Sequence, residues 1–265
     1  PVDQVLCNGA TTDLVTFNGS PGTVFFNWTN TASSIGLASS GTGDISSFTA
    51  TNTGTAPVLA TITVTPQTND GTLCTGSDVI FTYTVNPTPD IDPVSDIDLC
   101  NNVMSGEILF TSSVPGTVFN WSNTNTSIGL GSLANGVTKI DPFTPINTSN
   151  EPVTATITVT PEYENLGETC QGTPIEFTIT VNPTPYLTST LSPHSICDNA
   201  TFDYTPTTNV SGVSPINYHW VRAEVAGISP ATNSDTGVFD GAGNPNEALD
   251  NTTNFDIDVT YTYTI

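Results

Sequence analysis

The side chains with most chemistry to offer are five cysteines: Cys7, Cys74, Cys100, Cys170 and Cys197. No CxxC pair and no Cys/His cluster accompanies them, and the two histidines, His194 and His219, both lie late in the chain. A zinc site needs several such ligands close together. The thiols therefore read as disulfides made in an oxidising compartment. Their placement suggests pairing within successive stretches, Cys7 with Cys74 and Cys100 with Cys170, leaving Cys197 to a partner beyond Ile265. Closing the 67 residues from Cys7 to Cys74 would contribute roughly 4 kcal/mol on the chain-entropy account.

Carboxylates offer a second chemistry. The run PDIDPVSDIDLC carries Asp90, Asp92, Asp96 and Asp98, and alternate aspartates on extended backbone share a face. Ca²⁺ takes six to eight such oxygens; the competing reading is a solvated acidic loop. No other cofactor is indicated. Catalysis has little to work with. A Ser-His-Asp or Cys-His arrangement needs a histidine, and none precedes His194. Close carboxylate pairs such as Glu162 with Glu164 and Asp256 with Asp258 would need a cleft and a raised pKa to act on glycosides. Lysine-dependent isopeptide cross-links need a lysine per domain, and only Lys139 is present. The expectation is that the chain is not an enzyme.

Three tryptophans, Trp28, Trp121 and Trp220, fall 21, 21 and 23 residues after Cys7, Cys100 and Cys197. Exposed, they would stack on sugars; at one fixed place in every unit, they read as core anchors.

The elements that position these residues emerge from an internal repeat. ATITVTP occurs at 60–66 and 155–161, NPTP at 86–89 and 182–185, and NWTNTASSIGL from Asn27 is echoed by NWSNTNTSIGL from Asn120. A third, divergent unit keeps a cysteine, a tryptophan and VTYTYTI at 259–265. The units are 1–89, 90–185 and 186–265, the last incomplete at its C-terminal end. Val58, Ala60, Ile62 and Val64 alternate with Leu59 and threonines, and Phe81, Tyr83 and Val85 alternate with threonines. Such alternation describes strands with one face in a core and one in water. No amphipathic helix is evident, so each unit is expected to be an all-β sandwich. Proline ends a strand, and two prolines in four residues favour a stiff, extended backbone. NPTP is thus a short spacer and the array a rod.

Charge narrows the partners. Asp and Glu total 25 against two Lys and Arg, a net charge of −23. Two cations cannot neutralise a nucleic-acid backbone, an anionic bilayer would repel the chain, and no stretch has the apolar length to span one.

The unit CNGATTD…VTFNGSPGTVFFNWTNTASSIGL…VLATITVTPQ…CTGSDVIFTYTVNPTP resembles the PKD-like (Ig-like) repeats of giant Bacteroidetes surface proteins. It is most similar to those of flavobacterial gliding-motility adhesins, over nearly all of residues 1–185. The resemblance implies tandem stalk repeats of an adhesin exported through the type IX secretion system to the outer-membrane exterior. It also implies the partners: neighbouring repeats of the same chain, the secretion and motility machinery, and a surface polysaccharide or substratum gripped through other regions. It supplies no catalytic or ligand residues. The alternative is a glycan-binding or spacer module attached to a secreted hydrolase.

Overall fold

A computed structural model describes residues 1–20, 24–69, 73–213, 215–229 and 238–265; of Asn69 and residues 238–242 it describes the backbone. The PGT turn of the first unit, at 21–23, lies outside the described residues. The chain is all-β, with only single 3₁₀ turns at Ser33–Ile35 and Thr126–Ile128 among the described residues.

Unit one contains β1 (Gln4–Cys7), β2 (Val24–Asn30), β3 (Ser40–Thr42), β4 (Val58–Asn69), β5 (Leu73–Thr75) and β6 (Val79–Asn86). They form one sheet in the order β1-β6-β4-β2-β3, with β5 folded back on the far end of β4. All pairings are antiparallel except β1 with β6, which run parallel from Gln4↔Tyr83 to Cys7↔Asn86.

Unit two repeats the plan with β7 (Ile97–Cys100), β8 (Ile108–Leu109), β9 (Val118–Asn123), β10 (Leu133–Val137), β11 (Lys139–Ile140), β12 (Val153–Asn165), β13 (Glu168–Gln171) and β14 (Ile175–Asn182). Its sheet order is β10-β9-β12-β14-β7, again with a parallel edge, Ile97↔Ile179 to Cys100↔Asn182.

The two-residue alternation places Ala60, Ile62 and Val64 of β4 and Phe81, Tyr83 and Val85 of β6 inside, and β12 and β14 bury Ala155, Ile157, Val159, Phe177, Ile179 and Val181 likewise. Each large aliphatic side chain among them contributes about 1.5–3 kcal/mol by leaving water. The layer opposite the sheet is made mostly of loops. It is pinned in unit one by the bridges Thr11↔Thr49 and Val15↔Ile45, and in unit two by the short β8–β11 ladder. SIGL closes this layer: Ile35 and Ile128 are fully buried, each before a glycine in the left-handed region (Gly36, φ 96°; Gly129, φ 87°). A Cβ on either glycine would meet a backbone carbonyl at 2.5 or 2.4 Å, so no other residue fits there.

Unit three is built differently. Its strands are β15 (Thr201–Phe202), β16 (His219–Ala223), β17 (Ile228–Ser229), β18 (Val238–Ala242), β19 (Glu247–Ala248), β20 (Asp250–Asn251) and β21 (Tyr261–Thr264). They form a three-stranded sheet, β18-β16-β21, and two short pairs, β15-β19 and β17-β20. Phe202, Ile228 and Leu249 form a small core. Arg222 of β16 is fully buried, its Nε donating to Glu247 Oε2 at 3.0 Å, and the Tyr261 hydroxyl donates to the same oxygen. An ion pair buried inside one unit, in a chain with two basic positions, was not legible from composition.

Candidate functional site

The cysteines lie at opposite poles of each sheet. Cys7 ends β1 level with Asn86, where β6 leaves the unit, whereas Cys74 on β5 faces Thr68, ten residues along β4 from Val58. At about 3.3 Å per residue that is roughly 33 Å, far beyond the ~7 Å between Cα atoms that a disulfide tolerates. Cys100 and Cys170 are separated in the same way. The expected bonds Cys7–Cys74 and Cys100–Cys170 are therefore corrected. Cys7 pairs with Cys170, the Cα atoms 5.5 Å apart and 163 residues apart in sequence, and Cys74, Cys100 and Cys197 are free and exposed. The bond runs from the exit pole of unit one to the β12–β13 hairpin of unit two.

A polar joint surrounds it. The Asn165 side chain donates to Asn86 Oδ1 at 2.8 Å, and Asn86 Nδ2 donates back to the Asn165 carbonyl at 3.4 Å. Asn86 is fully buried. The Asn8 amide donates to the Asn86 carbonyl at 2.9 Å, and the Asn8 side chain reaches Thr88 of the NPTP spacer at 3.0 Å. Asn8 Oδ1 accepts from the amide of Asn52, whose own side chain donates to the carbonyls of Ala56 and Val85. Gly172 lies against the spacer so closely that a Cβ there would stand 1.8 Å from the Pro89 carbonyl oxygen. The exit pole of unit two has the same network, with no hairpin on it among the described residues: Asn101 bonds Asn182 and Thr184, and Asn147 bonds Asn101, Glu151 and Val181. These asparagines were missed in the sequence. Their signal is the echo of Cys-Asn at 7–8 and 100–101 and of Asn-Thr at 52–53 and 147–148.

The four junction aspartates are not brought to one point. Asp90 accepts from the Ser112 hydroxyl and from the amide and hydroxyl of Ser113, and Asp92 accepts from the Thr111 hydroxyl. Asp96 accepts from the Thr178 amide at 2.7 Å, as Asp3 does from Thr82 in unit one. Asp98 lies on β7 opposite Thr180. The serine bonds hold the Asp90 carboxyl below the usual range, and the Thr178 bonds do so for Asp96. Among the described residues, no three His, Cys, Asp or Glu side chains form a metal-sized group.

Trp28 and Trp121 are 7% exposed and Trp220 is 3% exposed, so none presents a face to solvent. Lys139 lies at the surface between Glu107 and Asp141, at 2.9 and 3.2 Å, and Arg222 is interior. The joint between units two and three carries other contacts: Asn209 donates to Asn150 and Thr184, and Ser211 to Asn150 and Glu151.

Residues 98–185 match the family model of the PKD-like domain, so unit two is a PKD-like, Ig-like sandwich. No curated protein sequence matches the chain. Among solved structures it is similar to Sidekick-1 immunoglobulin domains 1–5, at 10% identity and TM-score 0.31, covering 92% of this chain and 58% of that one. It is also similar to the human Desmocollin-1 ectodomain, at 11% identity and TM-score 0.31 (99% and 59% covered), and to the Protocadherin GammaB4 extracellular domain, at 10% identity and TM-score 0.39 (92% and 49% covered). The chain thus spans 49–59% of the length of these three structures.

Proposed function

We propose that the chain is a run of structural stalk repeats, with boundaries near Pro89 and Pro185, from a secreted adhesin displayed at the cell surface. The observation that carries this reading is the joint: a disulfide and reciprocal asparagine bonds lock one repeat onto the next. A device of that kind transmits load along a chain. The disulfide also favours an oxidising compartment, and among the described residues no helix is long and apolar enough to cross a membrane.

The rest of the surface supports a passive role. Both basic side chains are engaged by carboxylates, which leaves little for charge-assisted capture of anionic ligands. The buried tryptophans support core anchoring over sugar stacking. The resemblance of units one and two to gliding-adhesin repeats supports type IX export, a rod-shaped filament and adhesion residing elsewhere in the parent protein.

The purified chain should hydrolyse nothing, elute as an elongated monomer and bind no glycan class on an array. With Arg222 buried, trypsin should cut the folded chain at Lys139 before it cuts at Arg222. Saturable, tight binding of one glycan class would move adhesion into the repeats and refute the stalk reading.

A further inference from the structure

Cys74 and Cys100 occupy in one unit the positions that make the staple in the other. Cys100 ends β7 opposite Asn182 as Cys7 ends β1 opposite Asn86. Cys74 lies on the β4–β5 hairpin as Cys170 lies on β12–β13. The surroundings repeat as well. Gly76 lies against Pro66 as Gly172 lies against Pro161, a Cβ on either meeting the proline Cγ at 2.9 Å. The exit pole of unit two keeps the asparagine network, yet its Asn182 is only half-buried and its Pro185 exposed, where Asn86 and Pro89 are buried under the hairpin of unit two.

Unit three approaches this pole in the manner of unit two. β21 pairs with the tryptophan strand so that Tyr263 faces Trp220, as Val159 faces Trp121. Two residues further on, Ile265 stands where Pro161 stands, and it lines a hollow with Asn182, Pro183 and Pro185.

From these equivalences we infer that Cys100 and Cys74 are the two open halves of a recurring inter-repeat disulfide. Cys100 takes the hairpin cysteine of a following repeat, and Cys74 takes the exit-pole cysteine of a preceding one. This deepens the stalk reading and rests on it. The partner is a PKD-like repeat of this kind, with a cysteine on the hairpin that succeeds its second long strand. In forming the bond, two thiols lose two protons and two electrons to a disulfide oxidant such as glutathione disulfide, which leaves as two thiols.

The test is the full chain with residues 90–185 repeated once between Pro185 and Tyr186, refolded with oxidised glutathione and mapped by non-reducing peptide mass spectrometry. Cys7 should bond Cys170 of the first copy, and Cys100 of the first copy should bond Cys170 of the second, with loss of its alkylation by iodoacetamide. Cys100 bonded to Cys170 within one copy, or left alkylated, overturns the inference. The unmodified chain gives an independent reading should the longer one misfold: Cys7 found on Cys74 overturns it too. Glycan binding by either chain would refute the stalk reading without touching the pairing, so the two failures are distinguishable.

Discussion

Pulling the chain by its ends should reveal a large hidden length. The staple joins Cys7 to Cys170, so force entering at Pro1 and Ile265 bypasses the 163 residues between them. At about 3.5 Å per extended residue, roughly 570 Å of contour is withheld while the bond is intact. Oxidised molecules should extend only through residues 1–7 and 170–265, which carry β1, the end of β13, β14 and unit three, whatever the force below that needed to break a covalent bond. Reduction with dithiothreitol should release the withheld length in two further unfolding events, one for each of the first two units. The same reduction should lower the thermal midpoint, because a loop of this size contributes up to about 5 kcal/mol on the chain-entropy account. Single-molecule force spectroscopy with and without reductant reads the length, and calorimetry reads the midpoint. Bonds within units would instead free the stretch between Cys74 and Cys100 and lengthen the oxidised trace by about 90 Å. That outcome, or identical traces in both redox states, would refute the joint.

Asn147→Ala should destabilise unit two by about 2–3 kcal/mol in urea titration, because the Val181 carbonyl it caps is buried and would lose its donor. Tyr83 is fully buried, and burial followed by the nearby Asp13 charge pushes its hydroxyl up to about 12, with no partner among the described residues. Since the unfolded phenol ionises near 10, its contribution is intact below about pH 10 and declines as pH rises towards 12. Tyr83→Phe should remove its share of the decline in alkaline unfolding curves, leaving the share of Tyr261 and Tyr263, whose hydroxyls burial also pushes up, and leave stability at neutral pH equal or higher. Calorimetric titration with Ca²⁺ should give no saturable heat, since Asp90, Asp92 and Asp96 are spent on separate hydrogen bonds; a saturable isotherm abolished by Asp92→Ala with Asp96→Ala would establish a site at the first junction.

Strand positions were legible because each carries a two-residue alternation that local physics enforces: Ile62 must face in if Thr61 and Thr63 face out. The cysteine pairing was not, for a reason of symmetry. A pattern repeating every 95 residues or so is satisfied equally by bonds within a unit and by bonds shifted one unit along. Only the fold, by setting Cys7 level with Asn86 and Cys74 level with Thr68, distinguishes them. The asparagine network escaped because Asn52 and Asn147 read as turn residues, and nothing local marks them as donors to strands more than 30 residues away. The Arg222–Glu247 pair escaped similarly: its members lie on different strands of a unit that has diverged from the repeat.

The interleaved order of the cysteines has a consequence for biogenesis. Cys74 and Cys100 both precede Cys170 in the chain, so before folding Cys7 has two thiols nearer along the backbone than its partner. An unfolded chain would close the shorter loop to Cys74 first. Once the sheet has formed, β4 holds that thiol roughly 33 Å away and the wrong bond becomes unreachable. Folding must therefore precede oxidation, and each unit's sheet acts as a proofreader for its own cysteine. The first bond can close only after the second unit has folded and docked, so the state of the thiols reports how far assembly has progressed.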